Sequence, residues 1–414
     1  ERTNAVRPPA VPVGELLDVV DRTVRRADGR RARDSVLVRH PLQPFDRRNF
    51  IAGRLGADAP WRFDRIALAG ARALEADREE TPPFLADPLP CEPGALVELE
   101  DLVRFVQHPA KAFLRGRLGI SLGDFSTEVE DGLPVQLDAL DTWKVGDRIL
   151  DAVLDGCEPR AACAAEIARG LLPPGVLGKP VIDDVWPTVE AIAAAAAAEL
   201  GGTDAESVEA RAVLDGGRVV SGTVAGVRGD AVRTTAYSRV GAKHRLAAWV
   251  RLLVLTAAEP ERPWRAVTIG RRRQGSEGIT VATIPPLGPD PGARRAYALA
   301  RLSELLDLFD GGMCEPLPIF CKTSAAYARV AREDGDAWRA ARAEWESGFN
   351  PAEDADPEHE LVYGGRRSFD DLRGEPPHDD ERGPGWDASE ASRFGRLAVR
   401  LWAHLLDVER LEDR

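Results

Sequence analysis

The sequence predicts an α/β fold, a mixed sheet flanked by helices, and three observations carry that prediction. Between Ser207 and Ser238 the runs SVEARAVL, RVVSGTVAGV and AVRTTAYS have strand character and are joined by Asp-Gly and Gly-Asp turns, which makes them a meander. AKHRLAAWVRLLVLTAA follows at once as a strongly apolar helix. Helical patterns lie before and after this unit, and such an arrangement implies layers of helix over sheet.

Taken from the N-terminus, residues 1–75 combine Pro8, Pro9 and Pro12 with a helix over Val13–Arg26 and the phrase SVLVRHPLQPFDRRNF. Within that phrase Val36–Val38 reads as a short strand ending in a turn at Pro41 and Pro44; the alternative is a surface loop tied down by Phe45. Residues 76–96 hold prolines and acids and read as an extended linker between domains, which leaves residues 97–414 as the larger domain.

That domain opens on LEDLVRFVQHPAKAFLRGRLG. Leu99, Leu102, Val103, Val106, Ala110, Phe113, Leu114 and Leu118 fall on one helical face, which must be buried. Glu98, Glu100 and Asp101 at the start and Lys111, Arg115 and Arg117 at the end match the helix dipole, and Gly119 supplies a left-handed stop. Pro109 biases His108 away from helical geometry, so the helix kinks there or a second one begins. Further helices are expected at Leu137–Asp155, Pro159–Leu171 and Pro187–Leu200 ahead of the meander. Strands at Arg265–Ile269 and Thr280–Ile284 come after it, then helices at Ala293–Phe309, Ser324–Arg332, Ala337–Glu346 and Ser389–Val408. The acidic, Gly-rich piece Asn350–Trp386 reads as loop.

Composition narrows the function. The 414 residues suffice for two or three domains, and a net charge of -13 argues against a free-standing nucleic-acid binder, so any DNA contact is local. Cys91, Cys157, Cys163, Cys314 and Cys321 include no C-x-x-C pair, which favours neither zinc nor a disulfide framework and suits a reducing cytoplasm. No run of about 18 apolar residues occurs, so a soluble chain with no membrane partner is expected. The start lacks an initiator Met, and the chain reads as the C-terminal part of a longer polypeptide. Neither a phosphate-binding G-x-x-x-x-G-K-(S/T) nor a G-x-S-x-G is present, and none of the six histidines falls in an i, i+4 pair. His108 and His244 are read as structural.

The pattern L-x-x-F-x-x-H-P-x-x-x-F-L-x-x-R-L over Leu102–Leu118 resembles the opening helix of nuclease-type domains in the RecB/AddB/RecC group. His-Pro followed by Ala-x-x-Phe is similar to the RecC family in particular, the gamma subunits of exodeoxyribonuclease V. HPLQPFD resembles the close of that family's second helicase-like domain. EPLPIFCKTSAAYA, with Ser324 as a helix cap, and SRFGRLAVRLWAHLL, with Phe394, Leu397, Leu401 and Leu405 on one stripe, extend the resemblance to the C-terminus. It implies a restriction-endonuclease-like PD-(D/E)XK core, preceded by the tail of a helicase-like α/β domain.

Nucleases of that type hold a divalent cation on two acids and place a lysine beside the attacking water. The RecB-like pattern is G-x-(I/V)-D-R-(I/V), then D-Y-K on the next strand, then Q-x-x-x-Y on the following helix. Gly222–Val227 fits the first phrase with Ala225 in place of the metal-binding Asp. Ala236 and Ser238 replace the acid and lysine of the second, and Arg245 and Trp249 occupy the Gln and Tyr positions. The expectation is a vestigial, catalytically inactive nuclease domain that holds no metal. Displaced ligands, Glu209 and Asp230 with Lys243 as the lysine, are the rescue alternative. The resemblance further implies no cofactor in this region, with Mg and ATP used by the partner subunits. Those partners are a RecB-like beta subunit and a RecD-like alpha subunit, together with DNA ends and single-stranded DNA. Lys111, Arg115 and Arg117, and Arg271, Arg272 and Arg273, are the candidate DNA contacts; dipole compensation and a solvated charge run are their plainer readings. The rival reading, an active AddB-type exonuclease, requires the missing acids and a four-Cys iron-sulfur cluster with a Cys where His108 stands.

Overall fold

A computed structural model describes residues 9–56, 58–77, 84–90, 93–123, 137–200, 204–273, 275, 277–347, 352–379, 381–382 and 385–414. The chain divides into two units, Glu1–Thr81 and Pro82–Arg414. In the first, α1 (Val11–Thr23) and α2 (Arg33–Val36) precede the proline-punctuated loop and α3 (Arg65–Glu75) follows it. Val36–Val38 is not a strand. Arg33 donates its N–H to Asp21 Oδ1 at 2.8 Å, which starts a helical turn through Val36, and Leu37 and Val38 are exposed. Phe45 is exposed too; the loop is held instead by buried Asn49, whose Nδ2 donates to the carbonyls of Gln43 and Pro44 at 3.1 and 3.3 Å.

The second unit begins with β1 (Leu96–Glu98), α4 (Leu99–Gln107) and α5 (Pro109–Leu118). The break at His108 (φ -162°, ψ 81°) is thus the start of a second helix: its Nδ1 accepts the Lys111 N–H at 3.2 Å as the cap of α5. Gly119 ends that helix in the left-handed region at φ 67°. Next come α6 (Ala139–Leu154), α7 (Pro159–Ala168) and α8 (Lys179–Leu200). The last starts well before Pro187 and carries that proline inside, because Val185, Val189, Ile192 and Ala196 form one buried stripe across it. The meander is β2 (Glu206–Val213), β3 (Val219–Arg228) and β4 (Ala231–Arg239), followed by α9 (Ala242–Ala258), β5 (Arg265–Arg271), β6 (Ile279–Ile284) and α10 (Pro291–Cys314).

α11 (Cys321–Ala331) starts ahead of Ser324. The Glu353 carboxylate accepts the N–H groups of Lys322 and Thr323 at 2.9 and 2.8 Å, while Ser324 Oγ accepts the Phe320 N–H at 3.1 Å. α12 (Ala337–Trp345) precedes two helices inside the expected loop, α13 (Pro357–Tyr363) and α14 (Phe369–Gly374), capped by Asp356 and Ser368. Of their few apolar residues Val362, Phe369 and Leu372 are buried, while Leu361 is exposed. α15 (Arg393–Val408) and β7 (Arg410–Asp413) close the chain. β1 and β7 are too short for an alternating pattern, so the sequence does not announce them.

The sheet runs β1-β3-β4-β5-β6-β7, with β2 added on β3. β2 lies antiparallel along one edge of β3, from Val213↔Val219 to Glu206↔Val227. The other edge of β3 takes β1 in parallel at Leu96↔Val219 to Glu98↔Ser221, and β4 antiparallel at Val227↔Val232 and Arg228↔Ala231. β4 and β5 are parallel, while β5-β6 and β6-β7 are antiparallel, so the sheet is mixed as expected. One face packs on α4, α9, α10 and α15 through a core that includes Leu102, Val224, Leu253, Leu305 and Trp402. Val267, Ile269 and Val281 on the other face meet α6 and α8. Gly222 permits a close helix-to-sheet approach: a Cβ there would lie 2.6 Å from Leu99 Cβ. No helix among the described residues is long and apolar enough to cross a membrane.

Candidate functional site

The strand positions that would carry a nuclease's chemistry lie where β3 and β4 leave regular pairing. Ala225 and Gly226 together oppose the single residue Ser207, and Ala225 is exposed on β3. On β4 the ladder to β5 is registered through Thr235↔Ile269 and resumes only at Arg239↔Arg271. Ala236, Tyr237 and Ser238 occupy that irregular stretch, which bends the strand.

α6 covers this stretch. Gly146 faces the Tyr237 ring so closely that a Cβ there would fall 2.3 Å from it. Trp143 Nε1 donates to Ser238 Oγ at 3.0 Å, and the Tyr237 N–H donates to Asp147 Oδ1 at 3.3 Å. Trp143 and Asp147 are thus contributors that strand spacing alone did not reveal. Asp147 is the acid that α6 brings to β4, and its Oδ1 accepts a backbone proton rather than standing clear for an ion.

The helix positions have entered the core. Arg245 is buried and its Nε donates to both carboxylate oxygens of Glu409, at 3.0 and 2.8 Å, while its guanidinium lies 5.1 Å from the Trp402 ring centre. Trp249 is buried with its ring edge to Tyr297 at 6.4 Å. The rescue residues do not converge. Glu209 is exposed opposite Thr223, Asp230 pairs with Arg262 at 3.3 Å in the β3-β4 turn, and Lys243 is exposed. Among the described residues, the one group of three or more His, Cys, Asp or Glu side chains close enough to share an ion is His108, Asp356 and His359, and none of these is a strand position.

The opening helix, the Gly222 contact and the strand-strand-helix order all sit in the segment, residues 94–332, that a family model of the RecC C-terminal domain matches. The chain belongs to the RecC family. It is 40% identical over 410 residues to the RecBCD enzyme subunit RecC of Mycobacterium tuberculosis, covering 99% of this chain and 36% of that protein. It is also 40% identical over 423 residues to that of Mycolicibacterium smegmatis, again with 36% of the relative covered. The match to the Escherichia coli subunit is 26% identical over 185 residues, 42% of this chain and 16% of that protein. The chain therefore spans about a third of the length of the first two relatives it matches.

In this RecC-family chain the basic candidates divide by what they touch. Lys111 Nζ pairs with Glu358 at 2.6 Å, Arg117 donates to the Pro90 carbonyl at 2.6 Å, and Arg115 is exposed. Arg271 lies 5.3 Å from the Tyr237 ring centre and Arg272 pairs with Asp413 at 3.5 Å. The Arg273 N–H donates to Thr280 Oγ1 at 3.2 Å. Dipole compensation and ion pairing thus account for part of each cluster.

His244 is structural, as expected. Its Nδ1 accepts the Gly241 N–H at 3.4 Å at the start of α9, and burial, reinforced by the charge of Lys243, pushes the imidazole down from 6.5 to about 4. A neutral ring in the folded state means that the unfolded chain binds the extra proton between those values, so stability is complete above pH 6.5 and falls as the pH drops toward 4. Urea midpoints of the chain and of His244→Gln, compared across that window, are expected to converge by about 1.4 kcal/mol per pH unit. Parallel curves would remove His244 as the source.

Proposed function

We propose that this chain is the C-terminal part of a RecC-like gamma subunit of the ATP-dependent helicase and nuclease exodeoxyribonuclease V. In this reading residues 1–75 are the end of a helicase-like domain, residues 76–96 a linker, and residues 97–414 an inactive nuclease-like domain. That domain scaffolds the RecB-like beta and RecD-like alpha subunits and guides DNA strands as double-strand ends are processed for recombination in the cytoplasm. The observation that supports the reading is the order β3, β4, α9, to which the nuclease pattern can be fitted with Ala225, Ala236 and Ser238 in place of its acids and lysine. A methyl group cannot hold Mg²⁺ at about 2.1 Å. A net charge of -13, with few basic spots, suits protein docking better than a continuous DNA track.

Two measurements test it. The chain incubated with a DNA end and Mg²⁺ or Mn²⁺ is expected to release no nucleotides; cutting that Glu209→Ala abolishes would instead overturn the inactive reading in favour of displaced ligands. Co-purification with the beta and alpha subunits is expected to need residues 97–414. Retention of both partners without that segment would rule out the scaffold. Lys111, Arg115, Arg117 and Arg271–Arg273 are the proposed local DNA contacts, and their replacement by Ala is expected to reduce the salt dependence of end binding.

A further inference from the structure

The start of α5 and the start of α13 meet at three residues whose chemistry exceeds what capping requires. Each of His108, Asp356 and His359 has a donor atom within 4.8 Å of one from each of the other two. Asp356 is held on the first turn of α13, its Oδ1 accepting the N–H groups of Glu358 and His359 at 3.0 and 3.2 Å. Its Oδ2 lies 3.1 Å from His108 Nε2.

His359 is the informative member. Its Nδ1–H donates to the Glu353 carbonyl at 2.7 Å, which leaves Nε2 as a bare lone pair. The residue is 4% exposed, and this Nε2 has no hydrogen-bond partner. A buried imidazole with one nitrogen tied to a backbone carbonyl and the other free is the arrangement that metal-bound histidines adopt. Around the ring stand Phe320 at 4.9 Å, Trp345 at 6.0 Å and the His108 ring at 4.7 Å between centres, and Asp356 Oδ1 lies 3.8 Å from the ring's Nδ1.

The geometry points to a site for one divalent transition ion of the zinc class, held by His108, Asp356 and His359, that staples α5 to α13. Two imidazoles and a carboxylate with the fourth position left to water are a donor set zinc accepts, whereas Mg²⁺ and Ca²⁺ favour oxygen alone. Glu358 is not the fourth ligand, since it pairs with Lys111 Nζ at 2.6 Å. On loading, the His108 proton moves from Nε2 to Nδ1 with no net proton change. The bond to Asp356 and the weak Lys111 cap bond are exchanged for bonds to the ion. Binding then stabilises the junction, because the ligands converge only in the folded chain.

The test uses Zn²⁺ alone on the 414-residue chain after stripping with a chelator. Zn²⁺ uptake is measured in competition with a chromophoric chelator, and thermal unfolding is followed with and without the ion. One equivalent should bind and raise the melting temperature by several degrees. His108→Asn and Asp356→Asn keep a capping side chain at each helix start. Both are expected to melt like the stripped parent, to bind Zn²⁺ at least tenfold more weakly and to show no zinc-dependent rise. Failure of the parent chain to take up an equivalent, or undiminished uptake by both variants, would overturn the site.

Discussion

Replacing Arg245 by Met is expected to destabilise the chain by about 3–5 kcal/mol, read as a shift in urea midpoint. The side chains of Arg245 and Glu409 are only 7% and 2% exposed, and the guanidinium is the ion partner of that carboxylate. Truncating the cation strands a buried anion whose hydration was given up on folding, which is far costlier than losing an exposed pair. Glu409 also ends α15 and leads directly into β7, so the pair fixes both the last helix and the edge strand that follows it. The double substitution Arg245→Met with Glu409→Leu should recover most of the loss, because no unpaired charge remains and Met still fills space beside Trp402. A single-variant cost below about 1 kcal/mol, or a double variant as unstable as the single, would mean that this position is not structural. Arg245 is thus a tie between α9 and the C-terminus.

Ties of that kind divide what could be read from the residues from what could not. The α4–α5 break was legible because Pro109 forbids a continuous ladder and His108 can cap, two local facts that need no tertiary information. The meander and α9 were legible because turn chemistry and periodicity agree. Gly222 and Leu99, each conspicuous in its own phrase, turn out to touch, although nothing local pairs them. The covering of β4 by α6 was invisible for the same reason. Trp143, Gly146 and Asp147 lie in an ordinary amphipathic helix, and only the packed sheet assigns them to Ser238 and Tyr237. Val36–Val38 has strand composition yet lacks a partner strand, and Asp21 draws Arg33 into a helical turn. The cluster at Asp356 joins residues far apart in the chain, inside a stretch whose acids and glycines read as loop.

On the proposed reading, supplying acids and a lysine at the three strand positions should not produce cutting. The triple variant Ala225→Asp, Ala236→Asp, Ser238→Lys supplies every residue type that the nuclease pattern lacks, and with Mg²⁺ and a DNA end it is expected to release no nucleotides. Mg²⁺ demands near-octahedral oxygen ligands at about 2.1 Å, and that requires carboxylates converging to within fractions of an ångström. Position 236 lies in the stretch of β4 that has slipped out of register with β5, and position 225 sits in a bulge of β3. A lysine at 238 would also remove the acceptor of the Trp143 N–H and push a long cation under α6, whose packing on Tyr237 leaves no room for even a Cβ at Gly146. The accompanying loss of stability should be about 1–3 kcal/mol by thermal or urea unfolding, from overpacking and one orphaned indole N–H. Mg²⁺-dependent cleavage by the triple variant would show that the loss of ligands alone silences the site. Inactivity with the stability cost, set beside an unchanged fold for Ala225→Asp alone on its exposed strand face, would place the block in the covering helix and the bent strand.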